Sequence, residues 1–526
     1  MSKRILIFDS TLRDGAQAEG ISFSVKDKLK IVKLLDNLGI AYIEAGNPGS
    51  NPKDLEFFAE VKNLKLKNAK LTAFGSTRRR GIAVEEDANI LSLVAAGTDV
   101  ITIFGKSWDF HVTEIIKTTL EENLAMIKES VAYFKKLGKE VIFDAEHFYD
   151  GYKNNPEYAM DTLAAAFDGG ADALVLCDTN GGAFPSEVYE ITKLVCAKYD
   201  ISIGIHAHND SGLGVANSIM AVEAGANHVQ GTYIGFGERC GNANLSSIIP
   251  ALQIKKGLSC IPQEQLERLT TTAFALAEVA NVNIKDDMPY VGRSAFAHKG
   301  GMHIDGVNKA SHSFEHIDPS LVGNERRILM SEVAGRSTIL AKIREFDPDL
   351  TKDSLETQAI IDKLKELEHT GYQFEGAEST FELLIRKQLG KYTPFFELEN
   401  FTTMGRHPAD NSATSSSAII KINVDGKIEM TAAEGNGPVN ALDKALRKAL
   451  EVFYPSLKSV SLIDFKVRVV DTKDATAAKV RVLIESTDGE EYWSTVGVST
   501  DIIEASWVAL VDSLEYKLLR DIEKQK

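Results

Sequence analysis

Through the first 260 residues, short apolar runs alternate with amphipathic stretches. The runs are ILIFD (5–9), AYIEAG (41–46), KLTAFG (70–75), DVITIFG (99–105), EVIFDAEHF (140–148), ADALVLCDT (171–179), ISIGIHAHN (201–209) and HVQGTYIGFG (228–237). Their inner parts are rich in Val and Ile, the pattern of strands buried on both faces in a parallel sheet. The stretches between them have helical spacing. In SVKDKLKIVKLLDNLG, Val25, Leu29, Val32 and Leu35 fall on successive turns, Ser24 can cap the start and Gly39 follows the end. Eight strand–helix units at about thirty-residue spacing predict an α/β fold, a closed (β/α)8 or TIM barrel, over residues 1–260. The competing doubly wound sheet predicts a Gly-rich phosphate turn after the first strand, and STLRDG is not one.

Residues 261–391 read as helical linker subdomains. EQLERLTTTAFALAEVA, SEVAGRSTILAKIREF, LETQAIIDKLKELE and STFELLIRKQLG all repeat apolar positions at helical spacing. In their midst AFAHKGGMHIDGVNKASHSFEH (295–316) has neither period and reads as a functional loop or a linker. Residues 392–526 contain a duplication. Leu398-Glu399-Asn400-Phe401 matches Leu462-Ile463-Asp464-Phe465 at an offset of 64, Gly426 matches Gly489 at 63, and NALDKAL matches EASWVAL at 64. Each copy predicts strand, strand, DG turn, strand, loop and helix, so the C-terminal part is expected to be an α+β domain of two strand–strand–strand–helix repeats. Such copies can pack about a pseudo-twofold axis and form a pocket or a dimer surface. The loop GRHPADNSATSSS (405–417) is polar.

Composition narrows the class. With 44% apolar and 25% charged residues the chain is neither fibrous nor wholly disordered. The net charge of −16 argues against coating nucleic acid or an anionic membrane, so an anionic substrate must meet local positive charge. No apolar run is long enough to predict a transmembrane helix, and MSKRILIFDSTLRDG has no signal-peptide core, so a cytoplasmic protein is expected. Cys177, Cys196, Cys240 and Cys260 match neither a zinc ribbon nor a disulfide framework and read as reduced thiols.

Catalytic groups of a barrel belong where strands end on its C-terminal face. Those positions hold Asp9, Arg13, Asp14, Glu44, Arg78, Glu146, Asp178, Thr179, His206, His208, Asn209, Asp210 and Asn242. Alternate strand residues share a face, so His206 and His208 can meet one metal ion; a hydrogen-bonded pair of strand-end histidines is the alternative. An aspartate of DSTLRDG can complete a two-histidine, one-carboxylate set open to substrate. Arg13 suits a carboxylate or a developing oxyanion, or else a bridge closing the barrel mouth. Glu146 and His303 are candidates for proton transfer, the latter only if a lid or a partner subunit brings it to the site. Arg78, Arg79 and Arg80 suit an anionic ligand or a solvated turn. Cys177 reads as packing, and Gly435-Asn436-Gly437-Pro438 as a backbone site for a carboxylate or a plain turn.

DSTLRDG, HAHND, GERCGNANL (237–245) and HKGGMHIDG (298–306), in this order, resemble the metal-dependent Claisen-condensing barrel enzymes, which include isopropylmalate, homocitrate and citramalate synthases. The resemblance covers essentially the whole chain. It implies a divalent ion (Mn, Mg, Zn or Co) on Asp14, His206 and His208, with Asn242 nearby. It also implies Arg13 on the oxygen anion, Thr179 on the keto-acid carboxylate, and Glu146 paired with His303 of a partner subunit. DSTLRDGAQAEGISFSVKDKL, IEAGNPGSNPKD and GSTRRRG look closest to members that use pyruvate. Condensation of acetyl-CoA with pyruvate, a homodimer and feedback by isoleucine at the C-terminal domain are therefore expected, with 2-oxoisovalerate and leucine as the alternative pair. Hydroxymethylglutaryl-CoA lyase relatives lack the duplicated domain, biotin-dependent carboxyltransferases travel with a biotinyl domain, and an amino-acid sensor would leave the carboxylate–histidine set unexplained.

Overall fold

The computed structural model describes residues 3–329, 339–340, 343–344, 346–351, 353–374, 376–406, 415–470 and 477–524. Most of the helix expected over 331–346, and residues 407–414 of the polar loop, lie outside the described residues. The chain divides into two compact units, Met1–Phe296 with Ile317–Arg326, and Ala297–His316 with Arg327–Lys526.

Eight strands form the first unit's centre: β1 (Leu6–Asp9), β2 (Tyr42–Glu44), β3 (Lys70–Ser76), β4 (Val100–Lys106), β5 (Glu140–Glu146), β6 (Ala173–Asp178), β7 (Ser202–Ala207) and β8 (His228–Gly231). They pair in sequence order as a closed barrel, and β8 returns to β1 in parallel register, Leu6 beside His228 and Asp9 beside Gly231. Phe8, Tyr42, Val100, Ile142, Val175 and Cys177 pack inside the barrel as one core. A larger core fills the layer between strands and helices, where Ile31, Val32 and Leu35 of the helix Val25–Leu38 meet Ile7, Ile43 and Ile205. That helix starts where Ser24 accepts from the Asp27 N–H while the Asp27 carboxylate accepts from the Ser24 N–H, and it stops at Gly39 with φ 93°. The helix Leu269–Val279 joins this core, and the Tyr233 hydroxyl donates to the Leu269 carbonyl at 2.9 Å.

In the second unit, residues 297–316 contain a helix, Gly301–Lys309, in a segment whose sequence has neither a helical nor a strand period. Among its described side chains only Ile304 and Val307 are buried, and two buried apolar positions with glycines at 301 and 306 make too weak a periodic signal. Before it, β9 (Ala297–His298) pairs in parallel with β10 (Arg327–Ile328). The helices Leu355–Thr370 and Glu378–Gln388 follow.

The C-terminal repeats are two three-stranded antiparallel sheets, each followed by a helix. The first is β11 (Glu397–Arg406), β12 (Ser415–Val424), β13 (Lys427–Gly435) and the helix Pro438–Leu450; the second is β14 (Ser461–Val469), β15 (Val480–Thr487), β16 (Tyr492–Ser499) and the helix Ile502–Lys524. The repeat extends to irregularities: the β11 register shifts between Leu398 and Asn400, and the β14 register between Leu462 and Asp464. Gly426 and Gly489 turn the matching hairpins at φ 81° and 92°. Ile420, Ile422, Val482 and Ile484 share one core with Leu446 and Leu510, so neither repeat buries its sheet alone.

Candidate active site

A period of two carries each strand's inward face from the apolar interior to a polar rim. On β5 the series is Ile142, Asp144, Glu146; from β6 it is Val175, Cys177, Thr179; β7 brings His206 and then His208. Asp144, Glu146, Cys177, Thr179, His206 and His208 line one cavity of about 270 Å³ at the barrel mouth, together with Arg13, Asp14, Phe74, Phe104 and Arg239.

The loop after β1 is tied down before it reaches the cavity. The Ser10 hydroxyl donates to the Glu44 carboxylate at 2.6 Å and accepts from the Asp14 N–H at 3.4 Å. Arg13 donates from Nε to Glu44 at 2.6 Å and from Nη1 to Asp14 Oδ2 at 3.0 Å, while its guanidinium lies 3.7 Å above the centre of the Phe74 ring. Two carboxylates and a ring face therefore fix the fork. Asp14 Oδ2 is 3.3 Å from His206 Nε2 and 3.8 Å from His208 Nε2, and all three side chains are buried.

This donor set fits a divalent cation. Burial alone would raise the Asp14 carboxyl, but the Arg13 guanidinium and the two imidazoles hold it well below the usual carboxylate range, so it is charged. Burial also opposes charge on His206, yet the hydrogen bond and charge of Asp14 outweigh it and raise that imidazole. Burial and the neighbouring His206 lower His208 to about 4, leaving it neutral with a lone pair to give. One carboxylate and two imidazoles whose donor atoms lie within 4.8 Å of one another form a group suited to holding a metal ion, and no other such group occurs among the described residues.

Asn242 adjoins this set through an antiparallel bridge to His208. Its Nδ2 donates to the Phe236 carbonyl at 3.1 Å, which leaves Oδ1 buried without a hydrogen-bond partner. The loop can close this tightly only with glycine: a Cβ on Gly237, at φ 152°, would lie 2.3 Å from Asn242 Nδ2. Thr179 accepts at Oγ1 from the His147 N–H at 2.9 Å, so its own hydroxyl proton is left to donate elsewhere. Glu146 forms an ion pair with Lys106. His303 belongs to the second unit, where it is exposed and stacks on Phe314 with ring centres 4.4 Å apart.

Other strand-end residues have structural partners. Arg78 is buried with Glu122 at 2.7 Å and Glu129 at 2.6 Å, Arg80 donates to the Lys117 carbonyl, and Asp178 accepts from the Gly182 and Ala183 N–H groups. Burial pushes the Cys177 thiol well above its ordinary value. Gln17, Asp144, Glu238 and Arg239 of the cavity lining, and Gln230 beneath it, are polar residues that the sequence pattern does not single out. Asp144 and Gln230 precede rim positions by one strand period, a signal that was present but masked by the apolar runs around them. Arg239 donates to Asp210 at 2.7 and 2.9 Å and to the Thr179 carbonyl at 2.8 Å, joining the loops after β6, β7 and β8; nothing local in GERCGNANL announces that clip.

The chain matches the HMGL-like family over residues 4–277, the homocitrate synthase post-HMGL domain-like family over 290–371 and the LeuA allosteric (dimerisation) domain over 375–518. The chain belongs to the HMGL-like family, in its citramalate and isopropylmalate synthase branch. Among its relatives, the (R)-citramalate synthase of Aquifex aeolicus is 56% identical over 100% of this chain and 99% of its own length. That of Geobacter sulfurreducens is 52% identical over 99% and 98%. The 2-isopropylmalate synthase of Methanocaldococcus jannaschii is 30% identical over 99% and 96%. The matched spans place the barrel in the HMGL-like portion and both C-terminal repeats in the LeuA portion.

Proposed function

We propose that the chain is an (R)-citramalate synthase, which condenses acetyl-CoA with pyruvate and hydrolyses the thioester to release CoA. The observation that carries this reading is the buried Asp14–His206–His208 set beside Arg13, in a cavity walled by two phenylalanines. Phe74 and Phe104 stack with ring centres 5.1 Å apart and 16° between planes. A paired aromatic wall suits the methyl group of pyruvate and crowds a branched acyl chain. The 56% and 52% identities to (R)-citramalate synthases, against 30% to the 2-isopropylmalate synthase, support the same choice.

Asp14, His206 and His208, with the unpartnered Asn242 Oδ1 beside them, would hold a divalent cation, which when bound would supply Lewis-acid polarisation of the keto group. The Thr179 hydroxyl donates to the substrate carboxylate. Glu146 and His303 of a second copy take a methyl proton from acetyl-CoA, the resulting enolate attacks the keto carbon, and the proton is returned to the alkoxide oxygen to give the alcohol. Arg13, fixed by Glu44 and Phe74, meets the alkoxide as it forms, and its preoriented charge among buried side chains is worth more than in water. Water then cleaves the thioester, which makes condensation irreversible. The LeuA match and the exposed Ile428, Met430, Ile463 and Val467 support a homodimer through the C-terminal repeats; the effector proposed for that allosteric domain is isoleucine, the end product of a pyruvate-derived route.

The test is thiol release from acetyl-CoA, with pyruvate and 2-oxoisovalerate compared side by side at one divalent-metal concentration. Pyruvate should be the better acceptor. A wide preference for 2-oxoisovalerate sinks the choice of substrate, and no thiol release with either sinks the synthase reading.

A further inference from the structure

We infer that Gln230 and Asp144 are positioning residues that set which nitrogen of His206 faces the cation; the inference rests on the metal-site reading above. A ligating imidazole must present a lone pair, so if Nε2 faces Asp14 and the ion, the ring proton sits on Nδ1 and requires an acceptor. His206 Nδ1 lies 2.9 Å from Gln230 Oε1. A glutamine amide has a donor end and an acceptor end of nearly equal size, and its neighbours decide which way it turns. Here Gln230 Nε2 donates to Asp144 Oδ1 at 2.9 Å. Asp144 Oδ1 thus takes the amide NH2 and leaves the glutamine oxygen for His206.

The three groups come from separate strands. His206 on β7 pairs in register with Gln230 on β8, and Gln230 reaches across the barrel interior to Asp144 on β5. Gln230 has no exposed surface, and His206 and Asp144 are 5% and 3% exposed, so bulk water does not replace a lost partner. The other histidine lacks this arrangement, since His208 Nδ1 is buried with no hydrogen-bond partner. Orientation of the imidazole set therefore falls on the chain through Gln230. Outer groups of this kind are commonly worth about 10- to 100-fold in metal affinity.

The experiment measures Mn2+ or Co2+ affinity by calorimetric titration of the full, chelator-stripped chain, with melting temperatures of the metal-free forms. Gln230→Leu should weaken binding at least about tenfold in a chain that still melts cooperatively without metal, at a temperature lowered by the two buried groups it leaves unpaired. Gln230→Asn, which keeps an amide but withdraws its oxygen from Nδ1, should behave the same way and guards against a folding defect in the leucine variant. The double variant Gln230→Glu/Asp144→Asn exchanges the two ends of the relay. Its new carboxylate accepts from Nδ1–H and is itself supported by the new amide, so affinity should return to within about threefold of the parent. Parental affinity in Gln230→Leu or Gln230→Asn, or no recovery in the double variant, overturns the inference. A parent chain that takes up no divalent ion refutes the metal-site reading itself, and the inference with it.

Discussion

Phe104→Ala is the substitution that most directly probes acceptor size. Of the two stacked rings, Phe74 also carries the Arg13 guanidinium on its face, so truncating it would disturb the oxyanion donor as well. Phe104 supports no such contact with Arg13 and is half-buried, with Lys106 Nζ 5.7 Å from its ring centre, so its removal enlarges the 270 Å³ cavity while leaving the Arg13 fork in place. 2-Oxoisovalerate carries two more carbons than pyruvate. At about 0.8 kcal/mol for each buried carbon, seating them is worth about 1.6 kcal/mol, or about 15-fold in relative kcat/KM. Relief of crowding in the parent adds to this, so about 15-fold is a lower expectation for the shift towards 2-oxoisovalerate. The assay is initial-rate thiol release across a concentration series of each acceptor, with the melting temperature of the variant as a control for folding. A folded Phe104→Ala whose acceptor ratio moves by less than about threefold would show that the aromatic wall does not set acceptor size, and the argument from cavity shape would fall.

Arg13→Lys keeps the charge but cannot hold Glu44 and Asp14 with one planar fork; kcat/KM should fall by about 100-fold or more, and a variant within tenfold of the parent would remove Arg13 from the alkoxide. Burial lowers the imidazole of His228, packed against Phe8 and Tyr42, to about 3. The unfolded chain therefore binds this proton first as pH falls: the stability is fully present above about pH 6.5 and is lost towards pH 3, by about 1.4 kcal/mol per pH unit in that window. Denaturant titrations between pH 4.5 and 6.5 should show a flatter pH dependence for His228→Phe, and an unchanged slope would contradict the buried neutral imidazole. Because Glu146 and His303 are proposed to work across a dimer, inactive Glu146→Ala and His303→Ala chains should regain activity when co-folded. Confirmed mixed dimers without activity would count against that pairing.

Much of the barrel was legible because parallel strands covered on both faces need unbroken apolar runs, and eight such runs recur at a steady spacing. His206 and His208 stood out for a related reason: two imidazoles one strand period apart, just past an apolar run, must share a face. The helix Gly301–Lys309 was not legible, since its buried side chains are too few to impose a period and its stability comes from what it packs against. Nor could the fate of Arg78 be read from a run of three arginines, because its carboxylate partners lie 44 and 51 positions away.

The sequence by itself therefore determined the barrel strands, the duplicated C-terminal domain down to its paired hairpin glycines, and the residue types able to hold a metal. These depend on short-range periodicity and on backbone rules that act within a few residues. Tertiary structure alone decided the rest: that Glu44 and Phe74 lock Arg13 over Asp14, that two phenylalanines from adjacent strands wall the cavity, and that Gln230 and Asp144 stand behind His206. Each of those contacts joins residues far apart in the chain, brought together only when the barrel closes, and no local pattern encodes a partner that distant.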